Sequence, residues 1–562
     1  MRPVSDFVVV ELQKRGRLVV GEPYFTPGVP LVLDKHGLGD AGPGQLAVVS
    51  KGRGRARLQH ALGPADRIES VLEALLHEAG LRREHERFDL PEPSFEGRTD
   101  LRDLLTFTID PETAKDFDDA ISAAPEGDGV RVWVHIADVS WFVPAGSPLD
   151  RGAAERALST YVPGLVAPML PHELADDACS LRPDVDRLCV TVEVPFDASL
   201  EPGEPAFYRS VIRSNARLTY GQAERILSGE EKADDDVTSG LRLAERVALE
   251  LRRRRFARGA LRISSAEIAF AFNGEGGVEK AWLETEPHAH ALIEELMILA
   301  NEAVAELLAS RRRGALFRVH ERPDPQAVTR LITKLSELGV PTPPVPPADR
   351  MSPSDAAEIA AAASERVSEY VERAGRGREA FPALVLRAQK QARYHPENLG
   401  HSGLASTAYC HFTSPIRRYP DLVVHRALLR EVGQGDDPVP EELAEEAEHS
   451  SAQERAAAEI EYRADDICLA WLLEDVLFER GWEARFAGEI TGMIGSGLFV
   501  RFGDVFEGFL PVRRLPGYYE IDDTETALVG RRGGSIYRLG DPVEVSVEGI
   551  RRTEGKVELR LA

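Results

Sequence analysis

The chain has 562 residues, 43% of them hydrophobic and 29% charged, an ordinary globular balance that excludes disorder as its main state. Lys and Arg number 68 against 93 Asp and Glu, so a net charge of −25 argues against a nucleic-acid coat protein, whose phosphate attraction needs positive surface. Only four cysteines occur, none in a C-x-x-C pair, which argues against a disulfide scaffold or a zinc finger. No run approaches the roughly 18 apolar residues of a membrane span, and the start lacks the apolar core of a signal peptide. A cytoplasmic protein with no membrane association is the expectation.

At roughly 100–200 residues per domain the length predicts about three domains. The first module spans 1–95. Apolar runs cut by Gly and Pro predict short strands over 7–12, 17–21, 29–33 and 46–50. Residues 1–60 hold nine Lys/Arg against five Asp/Glu, and a basic tract follows, Lys51-Gly-Arg53-Gly-Arg55-Ala-Arg57. Ile68, Val71, Leu72, Leu75 and Leu76 share one face of a predicted helix over 68–79. The module is either a small barrel with a trailing helix or a helix-turn-helix type, and Pro91 and Pro93 mark a linker behind it.

Residues 96–482 alternate strands and helices. Leu105, Phe107 and Ile109 alternate with polar neighbours, as do Val130, Val132, Val134 and Ile136, giving two half-buried strands. Leu292, Leu296, Leu299, Ala303 and Leu307 recur at helical spacing, and the prolines of 341–347 make a surface loop. Ala/Glu-rich stretches over 355–373 and 441–479 predict long helices. From 483 to 562 five short strands over 484–490, 497–502, 507–511, 542–550 and 556–561, separated by Gly turns, predict an OB-fold barrel.

The sharpest local signal is Thr108-Ile-Asp110-Pro-Glu-Thr-Ala-Lys-Asp116-Phe-Asp118-Asp119-Ala, with four aspartates within ten residues. Crowded carboxylates resist simultaneous ionisation, and a divalent cation removes that penalty. Hard oxygen ligands suit Mg²⁺ or Mn²⁺, and such ions on a phosphodiester support hydrolysis. The plainer reading is a solvated acidic turn or a calcium loop. His135 and Asp138, three positions apart on a strand, point to opposite faces, which favours structural hydrogen bonding for His135. The second signal is His411-Phe-Thr-Ser414-Pro-Ile-Arg417-Arg418-Tyr-Pro-Asp421, a turn into a helix whose arginines make either a phosphate clamp or a capped surface. Glu294 or Glu295 reaches a ribose hydroxyl or a second metal, or faces solvent. Glu459, Glu461, Asp465 and Asp466 fit a solvated helical face, and Arg252–Arg255 either a solvated face or an RNA edge. Phe117, Trp133, Trp141 and Tyr161 are stacking candidates or core.

Taken together, TIDPETAKDFDDA, HIADVSWFV, STYVPGLVAPMLPHEL, LIEELMILANEAVA, LFRVHERPD and HFTSPIRRYPDLVVHR resemble, in order, the ribonuclease II and ribonuclease R (RNB-domain) family of processive 3′→5′ exoribonucleases. FAGEITGMIGSGLFVRFGDVFEGFLPVRRL resembles the S1 domain, an OB-type RNA-binding module. The resemblance runs from about 97 to 562. It implies an α+β chain: a small N-terminal RNA-binding module, cold-shock-like if it is a barrel, a mixed α/β RNB catalytic domain and a C-terminal S1-type barrel. It implies that Asp110, Asp116, Asp118 and Asp119 hold magnesium, or manganese, and orient the attacking water, with Asp118 the most critical. It places Tyr161 on the terminal nucleotide, Arg417 at the scissile phosphate with Arg418 beside it, Glu294 or Glu295 near the last nucleotide, and Asp465 as a carboxylate on the late helix.

The chain departs from the family in having too few N-terminal residues for two cold-shock barrels and no Lys-rich tail. The resulting expectation is a monomer acting on single-stranded RNA, with no obligate protein partner, that stalls near stable duplexes and releases nucleoside 5′-monophosphates. Rival readings are a catalytically silent RNA-binding protein, a metal-dependent endoribonuclease and, on the N-terminal module alone, a transcription factor.

Overall fold

The computed structural model describes residues 7–34, 37–50, 54–262, 267–274, 276–284, 287–531 and 535–562, so Lys51–Arg53 of the basic tract lie outside the described residues. The N-terminal segment forms β1 (Phe7–Arg15), β2 (Leu18–Pro23), β3 (Leu31–Val32), β4 (Gln45–Ser50) and β5 (Arg57–Pro64), followed by α1 (Ile68–Glu78). The order is β3-β2-β1-β4-β5. A parallel bridge from Leu33 to Ala56 joins the two outer strands and closes the sheet. That circular order, with parallel contact between third and fifth strands, is the connectivity of an OB barrel. The helix-turn-helix alternative is therefore corrected: β5 and its pairing to β4 fill the place a second helix would need. Ile68, Val71, Leu72, Leu75 and Leu76 are buried on the inner face of α1.

The centre of the molecule is a seven-stranded sheet. Its members are β6 (Thr99–Asp100), β7 (Phe107–Asp110), β8 (Asp119–Glu126), β9 (Gly129–Ala137), β12 (Asp186–Phe196), β13 (Ala206–Arg213) and β14 (Ala216–Thr219). The hairpin β10 (Thr160–Val162) and β11 (Leu165–Ala167) stands apart. The sheet order is β14-β7-β8-β9-β12-β13-β6, antiparallel except at β14–β7 and β13–β6. Phe107, Ile109, Ile121, Val130, Val132, Val134 and Ile136 all face one core, as period-two alternation requires. That face is covered by α4 (Tyr220–Ser228), α5 (Asp235–Ala257) and α6 (Pro287–Ser310). The opposite face packs on α2 (Val139–Phe142), α3 (Pro148–Arg156) and the first turns of α10 (Tyr419–Glu431).

The remaining helices form a different layer. A two-stranded ribbon, β15 (Ile268–Phe272) with β16 (Val278–Leu283), precedes α6, and the ribbon β17 (Phe317–Val319) with β18 (Arg393–His395) brackets α7 (Pro325–Glu337), α8 (Pro353–Ala374) and α9 (Ala380–Arg387). The proline-rich 341–347 stretch is irregular, as proline's missing donor dictates. The 38-residue α11 (Leu443–Arg480) runs past β10 and α1 to the C-terminal barrel. That barrel closes from β19 (Phe486–Ile494), β20 (Gly497–Phe502), β21 (Phe506–Pro511), β25 (Pro542–Arg551) and β26 (Lys556–Leu561) in the order β19-β20-β21-β26-β25. The five predicted strands match these five. A three-stranded insert, β22 (Tyr519–Ile521), β23 (Ala527–Gly530) and β24 (Ile536–Arg538), lies between the third and fourth and is not anticipated from the sequence.

Candidate active site

The acidic cluster sits at one end of the central sheet, where β7 stops and β8 begins. Asp110 is the last residue of β7 and Asp119 the first of β8. The loop between them carries Asp116 and Asp118. Asp118 is anchored by its backbone, because the Ala137 amide donates to its carbonyl at 2.9 Å and so extends the β8–β9 ladder. Its side chain is 4% exposed. Oδ1 accepts the Ile416 amide at 2.8 Å, while Oδ2 lies 3.5 Å from Arg417 Nε and has no hydrogen-bond partner. Asp110 Oδ2 is likewise buried without a partner.

Burial is the leading electrostatic effect. It pushes the Asp110 carboxyl up to about 8, with the Asp119 charge adding to the rise and Arg217 opposing it. It lifts Asp119 to about 6 against the pull of Arg417 and Arg418, and it raises Asp118 well above the carboxylate range. Three carboxyls held this way are short of positive charge. The orphaned buried oxygens of Asp110 and Asp118 are hard donors of the kind a divalent cation would satisfy, while among the described residues no three such side chains already stand at ligand spacing.

Two segments far away in sequence complete the site. The Ser414–Arg418 turn lies against 157–159, with the Ser159 amide donating to the Arg417 carbonyl at 2.9 Å and the Tyr419 amide to the Ala157 carbonyl at 2.8 Å. Arg417 donates to Ser414 Oγ at 2.9 Å and is 44% exposed in its side chain, so donors of its fork stay open to the site. Tyr161, on β10, donates its hydroxyl to Asp116 Oδ2 at 2.6 Å, and its amide donates to Glu461 of α11 at 2.8 Å. Tyr161 as a whole residue is 37% exposed, while its hydroxyl lies buried against Asp116.

The other candidates fall elsewhere. Arg418 forks Asp421, Nε to Oδ2 at 2.9 Å and Nη2 to Oδ1 at 2.8 Å, and Asp421 also accepts the Ser414 amide at 2.8 Å. Arg418 therefore shapes the turn instead of presenting free donors. Glu295 is buried on α6 and held by Arg255 of α5, and Glu294 shares the same guanidinium at 3.1 Å. Among the described residues no hydrogen bond or ion pair joins either glutamate to the aspartates. Asp465 is on α11, where burial and its acidic neighbours Asp466, Glu461 and Glu267 push it up to about 7. The Arg252–Arg255 run is largely committed to ion pairs: Arg253 and Arg254 meet Glu250, Arg254 also Glu201, and Arg255 the α6 glutamates. Trp141 is not a base platform, since Arg98 and Arg209 lie over its ring at 5.3 and 5.8 Å and both bind the buried Asp138. His135 faces away from Asp138 into a hydrogen-bonded chain with Ser122 and Thr191.

Sequence reasoning misses Tyr220, and it reads Glu461 as part of a solvated helical face, whereas Glu461 accepts the Tyr161 amide. Tyr220 stacks on His290 with ring centroids 3.9 Å apart and feels the charges of Asp119, Asp110 and Arg417. It directly follows Thr219, which pairs with Asp110 in the β14–β7 ladder. An aromatic immediately after a strand that ends in a capping-box threonine is the one signal that points to it.

The RNB domain family matches residues 98–433, more than half of the chain. Ribonuclease R of Escherichia coli is 38% identical over 501 residues, covering 86% of this chain and 59% of that protein. Ribonuclease R of Aquifex aeolicus is 38% identical over 485 residues, covering 84% of this chain and 66% of the relative. The chain thus spans less than two thirds of the length of these relatives. The structure of Mycoplasma genitalium RNase R in complex with ribose-methylated single-stranded RNA superimposes with a TM-score of 0.87 at 25% identity, covering all of this chain and 90% of that one. Its fold and its run of motifs place this chain in the RNB-domain family.

Proposed function

We propose that the chain is a metal-dependent, processive 3′→5′ exoribonuclease that degrades single-stranded RNA to nucleoside 5′-monophosphates. The observation that carries it is the convergence of the four aspartates with Arg417 and Tyr161 at one buried sheet end. Relatives named ribonuclease R, and the RNase R complex with single-stranded RNA, support the reading. Fold alone does not supply it, because sites and not folds carry chemistry.

In the proposed mechanism Asp110, Asp116, Asp118 and Asp119 would hold Mg²⁺, with Mn²⁺ as the alternative. When bound, such a cation neutralises the phosphodiester and lowers the pKa of the attacking water. The chain's own residues do the rest. Tyr161, partly exposed, would stack its ring on the 3′-terminal base, and the Asp116 carboxylate fixes its hydroxyl. Arg417 directs its fork at the scissile phosphate, where negative charge builds as water oxygen bonds to phosphorus and the bond from phosphorus to the 3′-oxygen breaks. The departing 3′-oxygen takes up a proton and becomes the new end. Asp118, only 4% exposed, is reached by a threaded strand end and not by the side of a duplex. The two barrels are proposed to grip the upstream strand, giving the division 1–95, 96–482 and 483–562, with the chain acting as a monomer.

The test uses a 5′-labelled RNA with a duplex and a single-stranded 3′ overhang, incubated with Mg²⁺ or with EDTA. Metal-dependent release of mononucleotides from the 3′ end, halting near the duplex, is the expected outcome. Internal fragments would instead mark an endoribonuclease, and binding without cleavage a silent RNA-binding protein.

A further inference from the structure

The loop from Asp110 to Asp119 has little of its own to hold it in shape. Its internal backbone bonding is one turn contact, the Ala114 amide to the Pro111 carbonyl at 3.1 Å. It carries acidic side chains that repel one another, so some outside group must set its course. The Ala137 and Leu181 amides hold the Asp118 and Phe117 carbonyls and the Tyr161 hydroxyl holds Asp116, and two further side chains grip the loop's backbone. Ser180, behind the loop, donates its hydroxyl to the Lys115 carbonyl at 2.6 Å and accepts the Phe117 amide at 3.1 Å. Arg217, in front, donates from Nη2 to the carbonyls of Pro111 at 2.7 Å and Glu112 at 2.8 Å, and its guanidinium lies 5.5 Å over the Phe117 ring. Its Nε is buried without a hydrogen-bond partner. Arg217 sits on β14, opposite Thr108 of β7, so the same ladder that ends at Asp110 delivers it to the loop.

On the proposed exoribonuclease reading, we infer that Arg217 is a positioning residue of the acidic loop, bracing the Pro111 and Glu112 carbonyls and the Phe117 ring so that the loop carries Asp116 and Asp118 to where a divalent cation would bind. The planar fork suits this task. It reaches two adjacent carbonyls from one nitrogen while its flat face covers an aromatic ring, and a lysine ammonium does not combine the two. Supporting groups of this kind commonly change metal affinity or activity by about 10–100-fold when removed.

The experiment compares Arg217→Met, Arg217→Lys and Ser180→Ala with the unaltered protein. It reads kcat and KM on a single-stranded RNA, the Mg²⁺ concentration for half-maximal rate, direct Mn²⁺ binding by calorimetry, RNA affinity in EDTA, and the melting temperature. Arg217→Met is expected to lower kcat about 10–100-fold and to weaken Mn²⁺ binding several-fold, with RNA affinity in EDTA unchanged within about twofold. Arg217→Lys should recover less than a tenth of the lost rate. Unchanged kcat and unchanged Mn²⁺ binding in Arg217→Met would overturn the inference. If Arg217→Met does not fold, Arg217→Lys and Ser180→Ala carry the same comparison. If the unaltered protein cleaves no RNA, the exoribonuclease reading fails while the Mn²⁺ comparison still decides the role of Arg217.

Discussion

Asp118 combines a nearly complete burial, a strong backbone tether and an oxygen with no partner, and each of these pulls in a different direction. The Ile416 amide requires only an acceptor at Oδ1, which an amide side chain also supplies. The negative charge is opposed by burial and by Asp116 and Asp119, and Arg417 at 3.5 Å offsets it only in part. Charge at this position therefore destabilises the metal-free protein and is kept for what it binds, the usual trade at a functional site. Asp118→Asn is expected to abolish turnover, a fall of at least about 10³-fold, while RNA affinity in EDTA stays within about twofold. It should also raise metal-free stability by about 1 kcal/mol, read as a higher melting temperature in EDTA. Retained turnover would contradict the role given to Asp118. The grouping of the four aspartates is legible in the sequence because they lie within ten residues on one strand end and its loop. Arg217 is not legible, because it reaches Pro111 from 106 positions away and only the parallel β14–β7 register brings it there. Glu294 and Glu295 look equivalent in sequence, and the structure separates them only through which one Arg255 buries.

At the scale of elements, the central sheet is legible through alternation, but what crosses it is not. A chain of buried polar side chains runs across five neighbouring segments. Thr106 Oγ1 meets Ser122 Oγ at 2.8 Å, Ser122 meets His135 Nε2 at 3.1 Å, His135 Nδ1 meets Thr191 at 2.9 Å, and Thr191 meets Ser210 at 2.7 Å. All five members are polar and most of their strand neighbours are apolar, so a one-residue slip of any strand would bury hydroxyls without partners. The chain thereby fixes the register that sets Asp119 opposite Ile136 and so aims the acidic loop. Only His135 is legible in the sequence as a structural hydrogen-bonding residue, because each of the other members alone looks like one stray Ser or Thr in an apolar strand. Burial lowers the His135 imidazole to about 3, against an ordinary value of 6.5. Since the folded value is the depressed one, the neutral ring's contribution is complete above about pH 6.5 and is lost progressively as pH falls from there toward about 3. By pH 5 the loss is about 2 kcal/mol for this one group. Denaturant unfolding of His135→Gln should therefore show a shallower fall in stability between pH 7 and pH 5 than the unaltered protein, by about that amount. Parallel slopes would mean that His135 does not stay neutral in the folded state.

Across the whole molecule, the C-terminal barrel meets the helical layer at a clasp on α9, beside contacts from α11 and α7 such as Arg552 to Glu474 and Lys334 to Glu525. Phe381 of α9 is fully buried, packed between Gly377 and Gly540. Arg376 lies 5.4 Å over its ring and reaches across to Asp541 at 2.9 Å and to the Leu539 carbonyl at 3.2 Å. From the barrel, Glu489 accepts the amides of Arg378, Glu379 and Ala380 at 3.0–3.2 Å, placing an anion at the start of α9. Barrel strands, α1, α9 and α11 then share one continuous core. On the proposed function, a barrel held this way would keep an RNA strand at a fixed distance from the aspartates, so long substrates would gain from it and short ones would not. Gly540 has φ of +79°, and a methyl group there would come within 2.7 Å of the Phe381 ring, so Gly540→Ala forces the clasp apart. The combined overpacking and backbone strain should cost about 3 kcal/mol, seen as a lower melting temperature. The aspartates lie on another core and are untouched, so kcat on an RNA of about five nucleotides should stay within about twofold. KM for an RNA of about thirty nucleotides should rise about tenfold, because upstream phosphates lose their fixed partner. Equal KM values on the long RNA would show that the barrel contributes no grip and that the catalytic core alone holds the strand.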